Sequence, residues 1–247
     1  MYQKCPKCGF EQTKAALPGV CEHCGLVFEK WLKSQYQTRA SRGEEHYLSK
    51  RSSLLDEIRA SLLYIPDTFP RERFYLYILV YIGFFIWGWA YIFSNHYSGE
   101  LNNAFMHNIN LVFHEAGHVV FRLFGRFMTI LGGSLLQLLV PVIFMVAFIR
   151  KRDTFAASIM LWWLSQSMMD LVAYIDDAQR MEMWLLGGVQ GKDMPGIHDW
   201  NNILGQLGML GHAHGLAVAT SVMANILMIA AFFWGGVLLV KIHKMAI

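Results

Sequence analysis

Two stretches of this chain carry residues whose types and spacing can do chemistry. The first is "HEAGH", residues 114–118. His114 and His118 are four residues apart, so on a helix they share one face and can grip a single metal ion. Glu115 falls on a neighbouring face, where it could take a proton from a metal-held water. The second stretch is "CPKCGFEQTKAALPGVCEHCG", in which Cys5, Cys8, Cys21 and Cys24 form two Cys-x-x-Cys knuckles separated by twelve residues. Gly9 and Gly25 follow the knuckles and permit the tight turn that aims two sulfurs at one ion. Four thiolates suit tetrahedral zinc, and the spacing is that of a zinc ribbon. Two disulfides would require an oxidising compartment, and a rubredoxin-like iron would use the same ligands. With every metal position taken by cysteine, this zinc is structural.

The elements that must position the histidines read as membrane helices. Of the 247 residues, 55% are hydrophobic and only 16% charged, a greasier balance than in ordinary soluble domains. A net charge of +3 gives no reason to expect nucleic acid. The chain opens on the polar "MYQKCPKCGF", so no secretory signal is expected. Three domains are expected: a ribbon over residues 1–30, a charged connector over 31–73, and a membrane domain over 74–247. In the connector, Ser41 to Glu44 resembles a capping box, and Leu48, Leu55, Ile58, Leu62 and Ile65 recur at helical spacing. That amphipathic helix would lie on the membrane surface or pack on the ribbon. About five hydrophobic segments follow, over residues 74–94, 104–125, 127–149, 155–178 and 216–240. Residues 179–215 read as a glycine-rich loop with a short helix from Asp199 to Leu210. The fold class is an all-α polytopic membrane protein with a small N-terminal four-cysteine zinc ribbon.

The second segment is the unusual one. Asn103, His107, Asn110, His114 and His118 recur every three or four residues as one polar stripe. Lipid does not solvate such a stripe, so it must face the protein interior or a wet cavity. A Glu at mid-membrane costs roughly 2–3 kcal/mol or more. A zinc ion tying both histidines and giving Glu115 a partner would offset that. Two histidines simply bonded within a polar core is the bland alternative.

An HExxH motif inside a transmembrane helix resembles the site-2 protease family of intramembrane zinc metalloproteases. The resemblance covers about residues 104–178. It implies that His114 and His118 bind zinc, that Glu115 is the general base, and that an Asp on a later transmembrane helix is the third ligand. The family's Asp usually sits in an Asp-Gly pair, which this chain lacks. The candidates are Asp170, then Asp177, Asp176 and His198. If the second and fourth segments run parallel, Asp170 lies at a depth comparable to the histidines and is preferred, with Asp177 as runner-up. Gln166, Asp170, Tyr174 and Asp177 share one face. Gln137 and Ser134 would orient substrate or bond helix to helix. Asp199 reads as a helix cap, His212 and His214 as exposed loop residues, and Trp162, Trp163, Met168 and Met169 as packing.

The expected function is zinc-dependent intramembrane proteolysis of a membrane-spanning substrate. A non-hydrolytic zinc-binding membrane subunit or assembly factor, or a transporter, is the alternative. Two zinc ions are expected, one in the ribbon and one in the membrane domain. The expected partners are the membrane itself and a transmembrane substrate or a membrane complex. The expected location is a bacterial plasma membrane with the ribbon cytoplasmic. Five full crossings would put Arg150, Lys151, Arg152, Lys241 and Lys244 outside, against the positive-inside rule. A third segment turning back at Gly132–Gly133 or Pro141 would restore it, but five crossings are the expectation.

Overall fold

The computed structural model describes residues 3–11 and 19–246, without the side chains of residues 38–52, 102 and 246. The middle of the ribbon spacer and the side chains of Ser41, Glu44 and Leu48 therefore lie outside the described residues. The chain is mostly helical and divides into two units, Met1–Ala60 and Ser61–Ile247.

In the first unit each Cys-x-x-Cys knuckle is a tight turn of the same design. Cys5 and Cys21 donate their amides to the carbonyls of Phe10 and Leu26, and accept from the amides of Gly9 and Gly25. Both glycines have positive φ, 73° and 70°, which explains why glycine closes each knuckle. A long helix, α1 (Phe28–Leu62), follows. Its backbone is helical through residues 41–44, so no helix starts at the expected capping box.

The second unit contains α2 (Arg71–Ile92), α3 (Phe105–Val120), α4 (Arg126–Arg150), α5 (Thr154–Asp176), α6 (Asp199–Gln206) and α7 (Ala213–Ala246). The connector expected over residues 31–73 is shared between the units. The carbonyls of Leu62, Leu63 and Tyr64 accept hydrogen bonds from Trp234, Lys241 and Thr154, which ties this stretch to the second unit. Among the described residues, three helices are long and apolar enough to cross a membrane: Arg71–Ile92, Arg126–Arg150 and Leu210–Met245. α4 runs unbroken through Gly132, Gly133 and Pro141, so the third segment does not turn back there.

α5 is the central post. It buries Trp162, Ser165, Gln166, Met169, Asp170 and Val172 against its neighbours. α7 meets it with Ala217, Ser221, Ala224, Met228, Ala231, Gly235 and Leu238, an alternating three- and four-residue repeat of mainly small side chains. Small residues let helix backbones approach closely where lipid offers no hydrophobic drive. Ser165 Oγ donates to the Ala224 carbonyl at 2.7 Å, and Trp162 Nε1 to the Phe84 carbonyl at 3.0 Å. The partners of α5 progress in order along α4 and α7 in the reverse sense and along α2 in the same sense: Tyr77 stacks on Phe155 and Phe84 meets Trp162.

α3 and α4 meet at glycine. A Cβ on Gly117 would stand 2.0 Å from the Gly132 carbonyl oxygen, so only glycine fits. Gly117→Ala is expected to destabilise the protein by about 1–3 kcal/mol by forcing these backbones apart. Gly83→Ala, with nothing within 4 Å of its new methyl group, should cause no loss. Thermal unfolding in detergent distinguishes the two; equal melting temperatures would refute the close contact.

Candidate metal centres

The four cysteines come together as their spacing predicts. One sulfur from each lies within 4.8 Å of the others. Cys5 Sγ and Cys24 Sγ are 3.8 Å apart, as are Cys8 Sγ and Cys21 Sγ. That is far beyond a disulfide bond, and all four are free thiols. Four sulfurs placed tetrahedrally at about 2.3 Å from one ion would stand about 3.8 Å apart. The group could hold a metal ion.

The second group is His114, Glu115 and His118, whose candidate ligand atoms also lie within 4.8 Å of one another. His114 Nε2 is 3.0 Å, and His118 Nε2 3.3 Å, from one oxygen of Asp199, Oδ2. Their other ring nitrogens face atoms that only accept. His114 Nδ1 is 3.1 Å from Gln137 Oε1, and His118 Nδ1 is 2.8 Å from the Thr129 carbonyl. Each Nδ1 must therefore donate, and in the neutral rings each Nε2 presents a lone pair. His114 Nε2, His118 Nε2 and Asp199 Oδ2 thus converge on one place, where either a proton on the imidazole or a cation in its stead can join ring to carboxylate. This donor set suits a cation, and imidazoles held through Nδ1–H to an oxygen are the usual outer arrangement of metal-binding histidine. Gly133 keeps the place open, since a Cβ there would lie 2.6 Å from His114 Nε2 and 2.7 Å from His118 Nε2.

Asp199 reaches this point because His198, not Asp199, caps α6. His198 Nδ1 accepts the Asn201 amide, leaving Asp199 as the first helical residue with its side chain toward α3. His198 is 1% exposed, and its Nε2 lies 3.4 Å from Asp177 Oδ2. Burial opposes ionisation of Asp177. The His198 ring and the amides of Met183 and Glu182 outweigh it and hold the carboxyl below the ordinary carboxylate range. Tyr174 adds a second anchor, its hydroxyl accepting the Asp199 amide at 2.9 Å. The loop leading to α6 carries an antiparallel hairpin, β1 (Trp184–Leu185) and β2 (Val189–Gln190), closed by Gly187 and Gly188 at positive φ.

The residues nominated as third ligand bond to other partners, although Asp170 lines the same cavity. Asp170 Oδ1 is 2.9 Å from His107 Nδ1, and its Oδ2 accepts from Asn110 and Gln137. Asp177 and His198 pair with each other. Asp176 holds His214 Nδ1 at 2.7 Å and Arg180 at 2.8 Å, so His214 is more than an idle loop residue. Trp163 is also more than packing, since its Nε1 donates to Asn110 Oδ1 at 2.9 Å. Asn110, 1% exposed, is the node of the polar stripe and also bonds Gln166 and Ser167. Gln137 bonds helix to helix, touching both His114 and Asp170.

A cavity of about 260 Å³ opens over the histidines, with Glu115, Tyr174 and Asp199 in its wall and Leu111, Leu171, Leu185, Leu186 and Ile197 around them. Comparison of the chain with protein-family models, with curated proteins and with solved structures found no match.

An ion held at this cavity would be lost in Asp199→Ala, and one held by the cysteine cluster would be spared. Asp177→Ala should retain both ions. Elemental analysis of purified protein would read two ions per chain falling to one for Asp199→Ala; an unchanged two would contradict the role given to Asp199.

Proposed function

We propose that this protein is a zinc-dependent intramembrane protease of the site-2 protease kind. In this reading His114, His118 and Asp199 hold the catalytic zinc, Glu115 is the general base, and Cys5, Cys8, Cys21 and Cys24 hold a structural zinc. The carrying observation is the convergence of both Nε2 atoms and Asp199 Oδ2 beside Glu115, in a cavity with apolar walls. This replaces Asp170 by Asp199 as the third ligand.

When bound, zinc supplies Lewis-acid polarisation of the scissile carbonyl and a more acidic water. Glu115 would take a proton from an attacking water and give it to the leaving amine, the double duty of a general base and acid. With Nδ1–H given to Gln137 and Thr129, the nitrogen that His114 and His118 each leave for an ion is Nε2. Leu111, Leu171, Leu185, Leu186 and Ile197 receive apolar side chains of a membrane-spanning substrate and limit competing water. A purely structural ion would have no need of Glu115 at this place, which favours hydrolysis over a metal-holding subunit.

Which helix ends meet supports one membrane arrangement. Arg73 at the start of α2 pairs with Asp153 at the α4–α5 turn at 3.3 Å. Phe74 stacks on His243 near the end of α7, with ring centres 5.8 Å apart. Arg71, Arg73, Arg150, Lys151, Arg152, Lys241 and Lys244 thus belong to one face. In this reading α2, α4, α5 and α7 cross the membrane, and α3 does not. α3 has 16 residues, about 24 Å long, short of a roughly 30 Å hydrocarbon core. Its two ends adjoin the end of α2 and the start of α4, which share the face opposite the basic one. Four crossings put Arg71, Arg73, Arg150, Lys151, Arg152, Lys241 and Lys244 on the cytoplasmic side and leave Arg122, Arg126 and Arg180 on the other, a better balance than five crossings give. Tyr174 lies 20 residues beyond Thr154, about 30 Å from the basic face along α5. Cleavage would therefore occur near the outer boundary of the membrane.

Glu115→Gln should keep its zinc yet cleave a model transmembrane peptide at least about 100-fold more slowly, because only proton transfer is lost. Cleavage at the wild-type rate would end the protease reading. Single cysteines at Lys151 and Lys244 should both be shielded from an impermeant thiol reagent in intact cells, whereas one at Ser98 should react. Labelling of Lys151→Cys and Lys244→Cys would restore five crossings.

A further inference from the structure

Asp170 lies in the cavity wall and contacts neither HExxH imidazole directly, yet its hydrogen bonds lead to one of them. Asp170 Oδ2 accepts from Gln137 Nε2 at 3.3 Å, and the same Nε2 donates to the Ser167 carbonyl at 3.3 Å. Gln137 Oε1 faces His114 Nδ1 at 3.1 Å. Reversing the Gln137 amide would set its oxygen against two oxygens that only accept. Its orientation is therefore fixed, and Oε1 must face His114. An amide oxygen only accepts, so His114 Nδ1 must carry a proton.

Asp170 is itself held from two further sides. His107 Nδ1 approaches Oδ1 at 2.9 Å, and Asn110 Nδ2 donates to Oδ2 at 3.1 Å. Asn110 has no freedom to turn, because Trp163 Nε1 and Ser167 Oγ donate to its Oδ1. The chain of fixed donors thus runs from the indole of α5, through the polar stripe of α3, to Asp170, then across to α4 and back to His114. Every member named here except His107 and Trp163 is buried.

We infer that Asp170 and Gln137 are positioning residues that lock His114 as the Nδ1–H tautomer and so keep its Nε2 lone pair for the metal. The inference rests on the zinc-site reading above. His118 needs no such relay, since the Thr129 main-chain carbonyl fixes it. The membrane makes this arrangement economical: a lone glutamine between two helices could turn either way, and an acceptor on α5 removes one of the two choices. It also accounts for an Asp on α5 that ligates nothing. Losing such an outer partner costs roughly 10- to 100-fold in metal affinity.

The test is competition of zinc-loaded full-length protein against a chelator, with the cysteine-bound ion as internal reference. Gln137→Leu and Asp170→Leu should each release the membrane-site zinc at roughly 10- to 100-fold lower chelator strength, with the cysteine-bound ion unmoved. Gln137→Glu, which keeps an acceptor for His114, should stay closer to wild type than Gln137→Leu. Nitrogen-15 spectra of histidine-labelled, zinc-loaded wild type give a readout that needs no variant: His114 should show a protonated Nδ1 and a ligated Nε2. Affinities within twofold of wild type in both leucine variants, or zinc on Nδ1 of His114, would overturn the inference. A wild type holding only the cysteine-bound ion would instead overturn the zinc-site reading itself.

Discussion

Three candidate donor atoms meet beneath the cavity, His114 Nε2, His118 Nε2 and Asp199 Oδ2, while both Nδ1 atoms face carbonyl oxygens. As lone pairs alone the three would repel one another, and their burial would cost free energy unless a proton or a cation stands between them. A cation reverses the sign. Much of the second unit can be understood as holding these atoms together: glycines where α3 meets α4, a glutamine that reaches across, and a capped short helix that carries Asp199 in from a distant part of the chain.

The membrane context sharpens every one of these choices. Polar atoms on α3 find partners on α4 and α5 because lipid offers none. Asn110 shows how thoroughly this is done, with Gln166, Trp163, Ser167 and Asp170 all bonded to its amide. The apolar side of α3, including Val112 and Val119, stays exposed at 66% and 73%, as a lipid-facing surface would. Polar interior and apolar exterior thus lie on the two sides of one short helix. In the proposed topology that helix stays in the outer half of the bilayer, which brings its glutamate near water without a channel through the whole membrane.

Much of this was legible in the residues. The cysteine knuckles and their glycines announce the sulfur cluster, because the local turn alone sets where the sulfurs point. The polar stripe from His107 to His118 announces a buried face, because helical periodicity fixes it. The approach of Asp199 to the two histidines was not legible. Asp199 sits before a short helix, where an aspartate ordinarily caps, and only the neighbouring His198 taking over the cap frees it. Nor was the shortness of α3 visible, since residues 104–125 are apolar enough to read as one span. Hydropathy does not register the break at Phe121–Phe124, where α3 gives way to a tighter 3-10 turn. Asp170 was noticed for its burial depth, but depth along one helix does not say which neighbour a carboxylate meets; here it meets His107, Asn110 and Gln137.

X-ray absorption at the zinc edge, on zinc-loaded protein in which the four cysteines are replaced by serine, tests the central claim most directly. The account predicts one tightly held zinc with two imidazole nitrogens and carboxylate oxygen at about 2.0–2.2 Å and no sulfur neighbour. A protein that stays folded yet retains no zinc, or a bound zinc lacking the imidazole signature, would contradict it.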